Sequence, residues 1–313
     1  MTHPMALMTN GPCEKVKRAG DNSLVSSEVS SRLLSSATAF RCPRDFLDNR
    51  FVYILISPRA RGLSVGVDMN PDKQCNFDCL YCEVNRAEPA REQTLDLGVT
   101  ANELSRTLEF VRSDAFRKRP PYSTLPDELL ELRHVALSGD GEPTLSPSFA
   151  DAVEAVMHVR AQRKFPFFKI VLITNATGLD RPEVQRSLRY FTPQDEIWAK
   201  LDAGTQSYMN QLNRPDCGIE KILANILLTA RQRPVIIQSL FTSLRGEGPS
   251  SQEIEHYAKR LSELKQAGAH IPLVQIYSAT RPTPHSECGH LPLRTLSLIA
   301  QAVRKIGLRA EVF

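Results

Sequence analysis

Apolar and polar positions along the chain alternate between two rhythms. Short runs rich in Val, Ile and Leu begin at Leu63, Val135, Ile170, Ile197, Val235 and Val274, each long enough for one buried strand. Between them, apolar residues recur at helical spacing. Thr100 opens one such stretch, with Glu103 as capping-box partner and Leu104, Leu108 and Val111 on one face; the Pro120-Pro121 pair closes it. Further helices are predicted from Ser148 to Lys164, Glu183 to Tyr190, Ile219 to Arg231, Ser250 to near Gly268 (Glu253 completing a second capping box) and Leu293 to Ile306. Alternation of this kind makes βα units around a parallel sheet. Six units are two short of a closed eight-unit barrel. The pattern therefore predicts an α/β fold: an open, partial (β/α)6 barrel of parallel strands with outer helices, its functional site on the loops after the strands' C-terminal ends. Ahead of the six units, Phe51 to Ile56 is a continuous apolar run, a strand or a buried extended segment. Residues 1–40, rich in Ser, Thr and Asn, bury too little to offset their ordering entropy and are expected to form a flexible tail, leaving 41–313 as the core domain.

Composition speaks to compartment more than to architecture. With 313 residues, 42% of them hydrophobic, the chain can fill one large core. A net charge of +4 permits an acidic partner such as RNA without calling for one. Arg112, Arg117, Lys118 and Arg119 cluster at a helix end, where the helix dipole alone favours positive charge. No apolar run approaches the ~20 residues needed to span a bilayer, and Lys15, Lys17 and Arg18 interrupt the N-terminal region. The expectation is a cytoplasmic protein without membrane contact. Seven cysteines, three of them within eight residues, read as metal chemistry in a reducing compartment.

Those three, Cys75, Cys79 and Cys82, are spaced C-x3-C-x2-C, with Tyr81 directly before the third, and they follow the first of the six strands. A compact loop with that spacing can point three thiolates at one metal centre. A structural zinc site needs a fourth protein ligand, for which His134 or Cys217 is the nearest downstream candidate; a [4Fe–4S] cluster on three cysteines leaves one iron open to a small molecule. After the second strand comes Gly139-Asp140-Gly141-Glu142-Pro143. Its glycines let backbone approach a ligand and its acid can pair with an ammonium group, although a tight turn with a solvated acid fits equally well. Later strands also end in polar residues: Asn175, Lys200 and Asp202, with Gln238 inside the fifth. Asn175 and Asp202 suit Asx-turns or helix caps as readily as a ligand, and a buried Gln needs a partner. His285 and His290 flank Cys288 with no cysteine pair near them and read as a solvated loop.

On these residues the chain resembles the radical S-adenosylmethionine (SAM) superfamily, whose hallmark is C-x3-C-x2-C with an aromatic before the last cysteine. Val67 to Lys73, Leu137 to Leu145, Lys200 to Asp202 and Val274 to Tyr277 resemble, more narrowly, stand-alone radical SAM proteins related to wyosine base synthases, over about Phe51 to Arg304. The resemblance implies that Cys75, Cys79 and Cys82 ligate a catalytic [4Fe–4S] cluster and that SAM chelates its open iron. It implies that the loop Gly139, Asp140, Gly141, Glu142 and Pro143, in place of a G-G-E-P pattern, binds the amino group of SAM. Asn175, Lys200 and Asp202 are implied SAM contacts, Gln238 is assigned to the barrel lumen with them, and Tyr81 to the surroundings of the cluster or adenine. The implied partners are SAM, an electron donor such as flavodoxin or ferredoxin, and an unidentified substrate, with tRNA one possibility. Wyosine synthases rebuild a methylated guanosine in tRNA using pyruvate, and archaeal members carry three further N-terminal cysteines; here only Cys13 and Cys42 precede the main motif.

Overall fold

All six predicted runs become adjacent strands. In the computed structural model, which describes residues 46–279 and 285–313, the strands are β1 (Val52–Ser57), β2 (Gly62–Asp68), β3 (Leu132–Ser138), β4 (Lys169–Thr174), β5 (Glu196–Lys200), β6 (Val235–Leu240), β7 (Ser243–Leu244), β8 (Val274–Tyr277), β9 (Cys288–Gly289) and β10 (Ala310–Val312). The expected tail at 1–40, which includes Cys13, lies outside the described residues, as does Cys42 at the start of the expected core domain. The main sheet has the order β1-β2-β3-β4-β5-β6-β8-β10. Strands β2 to β8 of that order are parallel neighbours, as the βα pattern requires. Two edge strands extend the six predicted ones. The Phe51–Ile56 run supplies β1, antiparallel to β2, and the three-residue β10 lies parallel to β8. A three-residue strand shows no periodicity to read.

The helices are α1 (Leu97–Val111), α2 (Asp114–Lys118), α3 (Asp127–Leu130), α4 (Phe149–Ala161), α5 (Pro182–Leu188), α6 (Gln206–Leu212), α7 (Ile219–Ala230), α8 (Ser251–Gln266) and α9 (Leu293–Lys305). Strand residues alternate between two apolar clusters. Val65, Val67, Val135, Leu137, Ile197 and Ile237 are fully buried in the large cluster shared with helix residues such as Leu104, Val153 and Ile299. Val171, Trp198 and Ile236 form a small separate cluster on the opposite face, the lumen of the half-barrel. The turn between β1 and β2 reaches across that open side, where Arg61 pairs with Glu311 of β10 at 2.9 Å.

Two capping-box expectations are corrected. Helix α1 begins at Leu97, capped by Asp96, whose carboxylate accepts the Val99 amide at 2.9 Å. Glu103 turns inward instead, accepting the amides of Arg50, Phe51 and Val52 at 2.8, 2.9 and 3.1 Å, and so anchors the entry to β1. Ser250 does cap α8, accepting the Glu253 amide at 3.1 Å. The Glu253 carboxylate, however, accepts from the Gly204 and Thr205 amides and the Thr205 hydroxyl. In both cases burial brought distant backbone donors to the carboxylate, and these displaced the local partner. Helix α1 also stops at Val111, and α2 intervenes before the Pro120-Pro121 pair. No helix among the described residues is long and apolar enough to cross a membrane.

Candidate active site

Strand β2 ends at Asp68, whose carboxylate accepts the amides of Asn70 and Asp140 at 3.1 and 3.0 Å. This ties the start of the cysteine loop to the loop after β3. Farther along, Phe77 and Leu80 are buried, and the amides of Asp78 and Leu80 donate to Asn213 O and Leu212 O at the end of α6, at 3.1 and 2.9 Å. The loop is thus held from both sides of the barrel mouth.

Each of its three free thiols is partly buried and lies within reach of one N–H donor. Cys75 Sγ accepts from the Phe77 amide, Cys79 Sγ from Asn213 Nδ2 and Cys82 Sγ from Arg86 Nη1, all at 3.4 Å. Burial pushes the Cys75 thiol up to about 11 and the Cys79 thiol up to about 12. Among the described residues no three His, Cys, Asp or Glu side chains converge closely enough to hold a single metal ion. Convergence on one ion is the geometry of a zinc staple; a cubane takes each thiolate on a separate iron and draws hydrogen bonds to its sulfurs. Each of the three thiols has its own N–H donor, as sulfurs on separate irons would require. Of the candidate fourth zinc ligands, His134 lies four positions before Ser138 on β3, about 13 Å down the strand, with Nε2 bonded to Ser64 Oγ at 2.8 Å. Cys217 follows Asp216, which accepts from Asn76 Nδ2 at 2.8 Å.

The glycine loop is packed against the cysteine loop. A Cβ on Gly141 would lie 1.8 Å from Gln74 O, and one on Gly139 (φ +154°) 2.2 Å from Asp68 Oδ1. The Glu142 amide donates to Gln74 O at 3.2 Å. The Glu142 carboxylate is buried, with both oxygens engaged: Oε1 accepts from the Thr144 amide (3.0 Å), the Thr144 hydroxyl (2.6 Å) and the Thr174 hydroxyl (2.5 Å), and Oε2 from the Asn175 amide (2.6 Å). Burial pushes it above the usual carboxylate range, with the Asn175 amide and the Thr144 and Thr174 hydroxyls pulling the other way. Pro143 opens a single 3-10 turn behind it. Asn175 makes an Asx-turn to the Thr177 amide (3.0 Å) and donates to Asn76 in the cysteine loop (2.9 Å).

A second group gathers on the other side. Asp202 accepts from the Tyr81 hydroxyl, Asn213 Nδ2 (3.0 Å), the Leu240 amide (2.8 Å) and Lys200 Nζ (3.4 Å). Lys200 Nζ also reaches the Tyr277 hydroxyl at 3.3 Å and lies 4.9 Å from the Tyr81 ring centroid. Burial works against the Lys200 charge, but Asp202, then Tyr277 and Cys79, outweigh it and hold the ammonium above the ordinary lysine range. Gln238 is in register with Lys200, and its amide donates to Gln275 at 3.1 Å, the partner a buried Gln requires. The structure therefore brings Cys75 and Cys82 to Arg86, Cys79 to Tyr81, Lys200 and Asp202, and Glu142 to Asn175. Asp140 and Gly139 join Tyr81 and Cys82 around a cavity of about 700 Å³, walled on the far side by Tyr53 and Tyr277. Arg86 and Asn213 carry no sequence signal, each standing in an irregular stretch; Tyr277 lies in a segment of the resemblance, but its contact with Lys200 is made by the fold.

The curled, mostly parallel sheet with its outer helices is the radical SAM partial-barrel fold. A radical SAM methyltransferase from Sphaerobacter thermophilus superposes with a TM-score of 0.59 at 18% identity, over 84% of this chain and 68% of that one. TYW1 with a lysine-pyruvate adduct bound superposes with a TM-score of 0.53 at 13% identity, over 91% of this chain and 90% of that one. In sequence, a UPF0026 protein of Helicobacter pylori is 25% identical over 238 residues, 73% of this chain and 68% of that protein. No protein-family model matches the chain.

Proposed function

We propose that the protein is a radical SAM enzyme in which Cys75, Cys79 and Cys82 hold a [4Fe–4S] cluster and SAM occupies the open iron, initiating chemistry on an unidentified substrate. The observation that carries this reading is three thiols in one loop after β2, each with its own N–H donor, with Cys82 lining the half-barrel cavity. When bound and reduced, the cluster and SAM supply a carbon-centred radical through one-electron cleavage of a sulfur–carbon bond of SAM. The chain's residues do the rest. Phe77, Asn213 and Arg86 stabilise the three sulfurs as thiolates. Gly139 and Asp140 bring backbone to the cavity edge, Gly141 lets their loop pack on Gln74, and Glu142 and Pro143 position that loop. Asp202 and Lys200 form an ion pair that orients Tyr81, Asn175 keeps a polar group at the end of β4, and Gln238 keeps one inside β6. The barrel wall limits water access.

A soluble one-electron carrier of the flavodoxin or ferredoxin type suits the proposed cluster. The basic cluster gives tRNA no preference as substrate: Arg117 pairs with Asp127, and Arg119 stacks on Phe46 and Phe110. The test is anaerobic reconstitution, iron and acid-labile sulfide analysis, and incubation with SAM and reductant. Stoichiometric iron and sulfide with release of 5′-deoxyadenosine, both lost in Cys79→Ala, are expected. Zinc without iron or sulfide would favour a zinc-stapled module and sink the proposal.

A further inference from the structure

The cavity holds a cation for which the residues assigned to the cofactor have no use. Arg59 belongs to the turn between β1 and β2, at the opposite end of β2 from the cysteine loop. Its side chain lines the same cavity as Cys82, and its guanidinium carbon lies 4.1 Å from the Tyr277 ring centroid. Its Nε is buried without a hydrogen-bond partner. Among the described residues, no carboxylate pairs with it. Two neighbouring cations differ in this respect. Lys200, which approaches the same ring to 5.6 Å, has Asp202; Arg50, also on the cavity wall, has Glu92.

A guanidinium carries five N–H donors in a planar fork, and stacking on a ring face satisfies none of them. Arg59 is half-buried, and burying its Nε–H without an acceptor is unfavourable unless something supplies one. The fork matches the paired oxygens of a carboxylate or phosphate, and the Tyr277 face fixes the plane in which it is presented.

We propose that Arg59 is a substrate-binding residue, receiving an anionic oxygen group, a carboxylate or a phosphate, held against Tyr277 in the cavity that the cysteine loop lines. This rests on the reading of the cysteine loop as the reaction centre, since it makes the molecule on Arg59 the substrate. Arg59 recruits it by charge and orients it through the fork, while Lys200 stays neutralised by Asp202.

The experiment uses the anaerobically reconstituted wild-type protein, so folding of a variant is not at issue. Arginines are labelled with phenylglyoxal in potassium acetate, potassium phosphate or potassium chloride at equal ionic strength, and labelling of each peptide is followed by mass spectrometry. Expected is several-fold slower modification of Arg59 in acetate or phosphate than in chloride, while the exposed Arg189 reacts equally in all three. Stronger protection by acetate identifies a carboxylate, and stronger protection by phosphate a phosphate. Equal rates at Arg59 in the three salts overturn the proposal, as does an Arg59 that never reacts and is therefore closed to the cavity. Release of 5′-deoxyadenosine from the same preparation is scored separately, so failure of the radical SAM reading is distinguishable from failure of the anion site.

Discussion

Gly141→Ala adds one methyl group where two loops of the site touch. Gly141 has no positive φ, so alanine there meets no left-handed backbone strain; what it lacks is space. The new Cβ would lie 1.8 Å from Gln74 O and 2.7 Å from Asn70 Cβ, whereas real Cβ contacts do not fall under 3.0 Å. The obstructing oxygen is backbone and cannot rotate away, so one loop has to move. Overpacking of this kind costs about 1–3 kcal/mol. The displacement also breaks the bond from the Glu142 amide to Gln74 O, about 1 kcal/mol more. The expected loss is therefore about 2–4 kcal/mol, read as a lower urea midpoint at unchanged slope. Iron retained per chain after reconstitution falls with it, because the cysteine loop moves too. Two other glycines calibrate the result. Gly246 has φ +88° and open space, so alanine there costs only the backbone term, about 1–2 kcal/mol. Gly98, in the first turn of α1, would place its Cβ an ordinary 3.5 Å from Asp96, and alanine should stabilise by about 0.4–1 kcal/mol. A Gly141→Ala protein within about 0.5 kcal/mol of wild type, with full iron content, refutes the docking of the two loops.

Glu142→Gln puts an NH2 group among donors, leaving a buried hydroxyl or the Asn175 amide without an acceptor; a loss of about 1–3 kcal/mol is expected in the same urea assay. Asp202→Asn strips Lys200 of its counter-charge and should cost about 3–5 kcal/mol in thermal or urea unfolding. Adding Lys200→Met should recover part of that loss, and a double variant no more stable than the single one rejects the pairing. Burial, then Lys169 and Arg59, push His134 down to about 3 from 6.5. Between those values the unfolded chain binds a proton that the folded chain refuses, so His134 contributes full stability above pH 6.5 and loses it as pH falls towards 3. The slope is up to about 1.4 kcal/mol per pH unit. His134→Gln should flatten it in urea titrations across that range, and an undiminished slope would assign the acid sensitivity elsewhere.

Much of the fold was legible because each barrel strand is a short apolar run flanked by polar turns. Buried on both faces, such strands leave little choice of partner state. Helix α6 was missed, since its seven residues carry too little periodicity. The glutamates show a different limit. Glu103 and Glu253 each stand three residues after a Thr or Ser, the spacing of a local cap, yet both carboxylates accept from segments 48 to 53 positions away. Spacing shows which partners are near in sequence; burial decides which donors a carboxylate meets.

The same division runs through the candidate site. Sequence alone determined six strands in parallel order, three thiols in one loop after the first, and a glycine loop after the second, because periodicity and chain connectivity are local properties. Tertiary structure alone decided that Asn213 and Arg86 face the sulfurs, that both Glu142 oxygens serve to clamp the glycine loop, and that Arg59 crosses the lumen to Tyr277 while Lys200 meets Asp202. Donors, acceptors and counter-charges are supplied by residues up to 250 positions apart, as Arg61 and Glu311 are, and only the closing of the sheet into a half-barrel brings them within a few ångströms.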